Sequence, residues 1–374
     1  VTRVVIAPDK FKGSLTAIEV AEAIALGVRD ALPDADITTC PVADGGEGTL
    51  EILENAGGTW VQLPVRGPLA EQVEARYVLL DGAAYIESAR ACGIEFVTPS
   101  PEVALTAHTW GVGELLAHAL DRDARRLVLT VGGTASTDGG AGMLAALGAG
   151  VLDSSGAPVD LGGRALARVA QVDLAPARAR LGEVPVAVAT DVTNPLLGPN
   201  GAATIFGPQK GAGRDDVARL DAALTQWAKA LVKAGARDIS TVPGAGAGGG
   251  IAGGAVAGLG ANVESGFDLI ASLTGVDAAL GGADLVITGE GSLDEQSLSG
   301  KAPAGIAARA GRAGASLLIL AGRIQLDAAA LAGLGVVGSS ALIDHAPSLG
   351  HARTHAAELL RARAEVLVRE WAAR

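Results

Sequence analysis

Cysteine is almost absent from this chain of 374 residues, which holds only Cys40 and Cys92. Two cysteines make no disulfide framework, and neither a Cys-x-x-Cys pair nor a zinc-ligand spacing occurs. Cys40 lies in the apolar-rich run 37–42 and reads as a small core residue. A reducing, cytoplasmic setting fits this usage. The opening VTRVVIAPD runs straight into a strand pattern, so no signal peptide is expected. Positive charge is scarce too. Lys and Arg number 29 against 41 Asp and Glu, for a net charge of −12. A nucleic acid or an anionic membrane surface calls for the opposite field. Aromatic residues make up 3% of the chain and offer no stacking platform for bases. Segment 244–261, inside the longest uncharged stretch, is half glycine and brings too little apolar surface for a membrane span.

Several catalytic signatures are missing as well. No GxxxxGK[ST] phosphate loop is present; Gly300-Lys301-Ala302 lacks both the hydroxyl and the upstream glycine. No Gly-x-Ser-x-Gly elbow occurs, which disfavours a serine hydrolase. Gly244, Gly246 and Gly249 match GxGxxG formally, with Glu264 downstream. Pro243 precedes the match and no clear strand feeds it, so a dinucleotide site there is a minor reading. His351 and His355 are one helical turn apart, but HARTH lacks the glutamate of a zinc protease.

What the chain does have is alternation. Short β-rich apolar runs at 4–7, 37–42, 127–131, 184–189, 284–288, 317–321 and 336–342 alternate with Ala-rich amphipathic segments. The latter include 17–31, 50–56, 111–120, 140–148, 215–234, 303–313 and 352–371. This rhythm predicts an α/β protein with mostly parallel, buried sheets. From Arg66 to about Phe96 it gives way to hairpin-like segments. Boundaries near 66 and 275 divide the chain into a discontinuous Rossmann-like domain, 1–66 with 276–374, and an inserted mixed α/β domain, 67–275.

Ligands of parallel α/β sheets bind beyond the carboxyl ends of strands. Five loops at such positions are unusual. The first carries Asp9, Lys10, Lys12 and Ser14, none needed as a cap because Thr16 and Glu19 already form a capping box. The second, Asp44-Gly45-Gly46-Glu47-Gly48, offers two carboxylates for Mg²⁺ or a hydroxyl. The third, 132–142, holds Gly132, Gly133, Thr134, Ser136, Thr137, Asp138, Gly139 and Gly140, a composition suited to phosphate. The fourth carries Asp191 and Asn194, with Lys210 farther on. The fifth carries Glu290, Ser292, Asp294 and Glu295, followed by Lys301. Ser292 and Glu295 also read as a plain capping box.

The chain uses six lysines against 23 arginines. Lys229 and Lys233 fall on one helix face. The other four, Lys10, Lys12, Lys210 and Lys301, all lie in or beside the glycine-rich loops. A compact ammonium and a guanidinium are not interchangeable at a crowded phosphate. The four loop lysines are therefore expected to converge on one cleft.

Together these segments resemble the bacterial glycerate kinases of the type-1, 2-phosphoglycerate-forming family. The resemblance rests on 7–15 (APDKFKGSL), 43–49 (ADGGEGT), 132–142, 191–196, 206–212, 243–249 and 289–301, in that order over nearly the whole chain. It implies two α/β domains with the active site in the cleft, and a homo-oligomer is compatible with it. It also implies ATP, Mg²⁺ and D-glycerate, in glyoxylate or sugar-acid metabolism. Thr137 stands where the family often has Asn, and Ser292 where it often has Arg; Arg323 is the candidate to supply that lost cation. On this reading Asp191 is the first choice of general base and Asp44 the second, with Lys12 at the reacting group. Lys10, Ser14, Asn194 and Arg323 would bind substrate. Residues 132–140, Lys210 and Lys301 would bind nucleotide, and Asp44, Glu47, Glu290 and Asp294 would hold metal. A dinucleotide-dependent oxidoreductase of a small hydroxy acid, and a non-catalytic sugar-acid sensor of the same fold, are the alternatives.

Overall fold

The computed structural model describes residues 1–298 and 302–374, so Lys301 lies outside the described residues. The chain forms two compact units. The first comprises Val1–Asp44, Glu51–Ala56 and Gly266–Arg374; the second comprises Gly45–Leu50 and Gly57–Ser265.

The first unit is built on a five-stranded sheet. Its strands run in the order Val336–Ala341, Ser316–Ala321, Leu285–Thr288, Arg3–Ile6, Asp36–Thr39, and every pairing is parallel. Alternation along these strands feeds two cores. Val4, Ile6, Leu285, Ile287, Leu318 and Leu320 face the helices Ala17–Ala31 and Ala356–Ala372. Val5, Ala7, Val286, Leu317 and Ile319 face Phe267 and Ile306 on the opposite side. Burial on both faces explains why the three central strands read as apolar runs. The expected capping box forms at the first helix: Glu19 N donates to Thr16 Oγ1 at 3.2 Å, and Thr16 N donates to Glu19 Oε2 at 2.8 Å. Gly27 lets this helix and Ala356–Ala372 approach closely, since a Cβ there would lie 2.8 Å from Ala364 Cβ.

The second unit holds a six-stranded sheet, ordered Asn262–Glu264, Val186–Ala189, Arg126–Thr130, Ala83–Glu87, Gln72–Leu80, Thr59–Arg66. The first four strands are parallel and the last two join by antiparallel pairing. Residues 66–96 thus contain the expected hairpin segments. Thr59–Arg66 is hydrogen-bonded to Gln72–Leu80, so it belongs to this unit rather than to the N-terminal one. Tyr77, Leu115, Leu127, Trp227 and Ile251 fill its core.

Two local expectations fail. The continuous helix expected at 352–371 is broken at His355, which leaves helical geometry at φ −113°, ψ 24°, so that Leu349–Thr354 and Ala356–Ala372 are separate. Ser292 does not cap a helix; it lies in the short strand Ser292–Leu293, paired in parallel with Arg323–Ile324. No helix among the described residues is long and apolar enough to cross a membrane.

Candidate active site

Because all five strands of the first unit's main sheet run parallel, their carboxyl ends share one edge. The segments that leave this edge line a cavity of about 450 Å³. Asp9, Lys10, Phe11, Lys12 and Ser14 follow Arg3–Ile6, and Asp44 comes after Asp36–Thr39. Glu290, Gly291 and Ser292 follow Leu285–Thr288; Gly322 and Arg323 follow Ser316–Ala321. Leu342, Leu349, Ala352, Arg353 and Ala356 close the remaining side. The loops are stitched by backbone bonds, with Asp9 N donating to Gly289 O at 2.8 Å and Gly322 N to Glu290 O at 3.1 Å. Gly322 is required, because a Cβ there would strike Gly291 O.

The cavity brings together Lys10, Lys12, Ser14, Asp44, Glu290 and Arg323 of the residues expected from sequence. Four cations, Lys10, Lys12, Arg323 and Arg353, face three carboxylates, Asp9, Asp44 and Glu290. An excess of positive charge at one cavity in a chain of net charge −12 marks a locally built anion site. Lys10 Nζ lies 3.9 Å from Asp9 Oδ1 and 4.0 Å from Asp44 Oδ1. Arg323 is the register partner of Ser292, so its guanidinium leaves the backbone beside the position that lacks a cation. The Ser14 hydroxyl donates to Arg353 O at 2.6 Å, so its proton fixes Arg353 rather than a ligand. Arg353 escaped the sequence reading. It sits inside HARTH, where the flanking histidines drew attention, and only the fold carries it back to the first loop.

The expected metal ligands separate. Asp44 and Glu290 line the cavity; Glu47, exposed in the second unit, and Asp294 do not. Among the described residues no three His, Cys, Asp or Glu side chains come together to hold a metal. Two hard oxygen donors still suit Mg²⁺, which keeps several waters and rides mainly on phosphate oxygens.

In the second unit, Asp191 follows Val186–Ala189 and accepts a hydrogen bond from Ser265 Oγ at 2.9 Å. Asn194 Nδ2 donates to Asn200 O at 2.9 Å, which commits its amide N–H to closing its own loop. The 132–142 loop divides sharply. Gly132 and Gly133 are accessible, while Thr134, Ser136, Asp138, Gly139 and Gly140 are buried. The Asp138 carboxylate accepts from Thr109 N, Thr109 Oγ1, Gly140 N and Gly142 N at 2.8–3.2 Å. Gly139 N is spent on Gly249 O at 3.1 Å. Lys210 is 1% exposed, and its ammonium donates to Ser136 O and, at 3.4 Å, to Thr137 Oγ1. Ser136, Asp138, Gly139, Gly140 and Lys210 therefore build the loop from inside rather than presenting groups to a nucleotide. Burial pulls the Lys210 ammonium down to about 8. Burial likewise pushes the neighbouring Cys92 thiol up to about 12. The GxGxxG match at 244–249 follows no strand; it leads from a turn into the helix Ile251–Leu259.

Residues 4–372 match the glycerate kinase family. A glycerate kinase from Bacillus subtilis is 40% identical over 361 residues, spanning 96% of this chain and 94% of that one. A glycerate 2-kinase from Escherichia coli is 43% identical over 308 residues, spanning 82% of this chain and 81% of that one. A crystal structure from Salmonella typhimurium LT2, provisionally named glycerate kinase 2, superposes with a TM-score of 0.85 at 39% identity, covering 100% of this chain and 98% of that one.

Proposed function

The chain belongs to the glycerate kinase family, and from that premise we propose that it transfers the γ-phosphoryl group of ATP to D-glycerate, with 2-phosphoglycerate as product. The observation that carries this reading is the cationic cavity at the carboxyl edge of the first unit's sheet. Lys12, Arg323 and Arg353 are assigned to the glycerate carboxylate and the transferring group. A guanidinium presents two parallel N–H donors to a carboxylate, which fixes orientation as well as charge. Lys10, held between Asp9 and Asp44, stiffens the first loop.

Asp44 and Glu290 would hold Mg²⁺, which when bound neutralises charge on the phosphate oxygens. Asp191, oriented by Ser265, is assigned to take the proton of the attacking hydroxyl. Gly132 and Gly133, accessible after the strand Arg126–Thr130, are assigned to the nucleotide phosphates. The two buried free cysteines support a cytoplasmic setting.

The test is a coupled ADP-release assay over D-glycerate, L-glycerate and related hydroxy acids, with phosphorus NMR of the product. ADP release dependent on D-glycerate, with phosphorus on the 2-hydroxyl, is expected. Ligand binding without ADP release would leave a sensor, and turnover with a nicotinamide dinucleotide instead of ATP would overturn the kinase reading.

A further inference from the structure

Lys210 has a cost and no obvious return. A buried ammonium is expensive unless strongly paired. This one meets a carbonyl and a hydroxyl rather than a carboxylate. Asp138 provides favourable negative charge nearby while its own oxygens are used by the loop. An apolar side chain would fill the same space at lower cost, so the charge itself has a task.

The surroundings show which. Two glycine turns nest at this point. Gly139 N donates to Gly249 O, and a Cβ on Gly250 would lie 2.8 Å from Gly139 Cα. A Cβ on Gly249, at φ +71°, would lie 2.8 Å from Lys210 Nζ and strike Ser136 O. Of the glycines that mimic a dinucleotide fingerprint, Gly249 thus packs against the Ser136 backbone, while Gly244 and Gly246 lie against the carbonyls of Val192 and Pro195. On the other side, Ala135 N donates to Cys92 O and Ile94 N to Gly133 O, both at 2.8 Å. The accessible Gly132–Gly133 corner is thus tied down just upstream of the clasp.

We propose that Lys210 is a positioning residue for the nucleotide: its ammonium clasps residues 136–137 against the Gly249 turn and so sets the backbone of Gly132 and Gly133 for the phosphates. This rests on the assignment of that corner to the nucleotide, and the experiment separates the two. Three variants of the full chain are compared, Lys210→Met, Trp227→Phe and Gly132→Ala. Affinity for ATP is measured by calorimetry without glycerate, alongside KM for each substrate. Met removes the charge while keeping most of the volume. Trp227→Phe removes the indole donor to Gly139 O, 3.0 Å away on the same loop, and serves if Lys210→Met does not fold. Gly132→Ala adds a Cβ with only Gly46 Cα, at 3.7 Å, within reach, so it alters the corner without straining the fold.

Lys210→Met is expected to weaken ATP binding about tenfold or more, as a misplaced contact does, with KM for D-glycerate changed less than about twofold. Trp227→Phe should shift ATP binding the same way, by less. If Gly132→Ala weakens ATP binding and Lys210→Met does not, or if Lys210→Met moves both substrates equally, the positioning role is refuted. If Gly132→Ala leaves ATP binding unchanged, the nucleotide assignment itself fails and the proposal falls with it.

Discussion

The buried lysine also makes stability depend on pH in a direction that can be worked out beforehand. In the unfolded chain the Lys210 ammonium releases its proton near 10.5; in the folded protein burial brings this down to about 8. That gap penalises the charged form by about 3 kcal/mol. Below the folded value both states hold the proton and the penalty is fully present. Between the two values the unfolded chain still holds the proton while the folded protein has released it, so stability rises with pH by linkage. From about pH 7 to about pH 9.5 the gain is about 2 kcal/mol. Cys92, pushed from 9.0 up to about 12, keeps its proton when folded and releases it when unfolded, so it lowers stability as pH rises; both proteins carry it, and only their difference isolates Lys210. Lys210→Met lacks the group and so lacks the gain. At pH 7 it loses the donor to Ser136 O, a cost of about 1–3 kcal/mol, but also sheds the burial penalty, so the two proteins should be close. The assay is urea unfolding of both at several pH values, followed through the fully buried Trp227. Titrations common to both proteins cancel in the difference. The wild type should pull ahead by about 2 kcal/mol as pH rises. A difference that stays flat, or falls, would show that the ammonium is not sealed as the structure places it.

The cavity cations make a second test. Arg323→Ala and Arg353→Ala should each raise KM for D-glycerate by roughly tenfold or more, the equivalent of one charge-assisted hydrogen bond, while Lys229→Ala, exposed on a helix, leaves it unchanged. Equal effects from all three would sink the anion-site assignment. Asp191→Asn should lower kcat by about 10²–10⁴ with the fold intact by circular dichroism; near-normal turnover would remove it as base and point to Asp44. Gly27→Ala drives a Cβ into Ala364 and the Arg361 carbonyl. It should cost about 1–3 kcal/mol in thermal unfolding, and an unchanged midpoint would contradict the close helix packing.

Much of the frame was legible because its signals are local and periodic. Strands buried on both faces leave unbroken apolar runs, and Thr16 with Glu19 announces a helix start that forms as read. Strand-end loops could be nominated because parallel strands share an edge, and the first, second and fifth loops all send residues to one cavity. Arg353 was not legible. Its place in the cavity depends on a C-terminal helix returning to Ser14, 339 residues away in sequence. Ser292 and Glu295 show the opposite failure. Their spacing satisfies a capping box, but pairing with Arg323–Ile324 outcompetes it and turns Ser292 into strand.

The lysines show why composition reaches only so far. Scarcity of lysine separated the loop lysines from those on the helix face, and Lys10 and Lys12 do line a cavity. Lys210 shares their glycine-rich context for another reason. A phosphate approaching a loop and a second loop approaching it demand the same thing of the chain, a backbone without Cβ atoms. Glycine records that something comes close; it does not record what. Around Gly249 the close neighbour is Ser136 O, part of the protein itself, and the ammonium beside it meets a carbonyl rather than a ligand. Only burial distinguishes the two cases, and burial is a property of the whole fold. An accessible glycine corner such as Gly132–Gly133 and a sealed one such as Gly249–Gly250 read identically until the chain is packed.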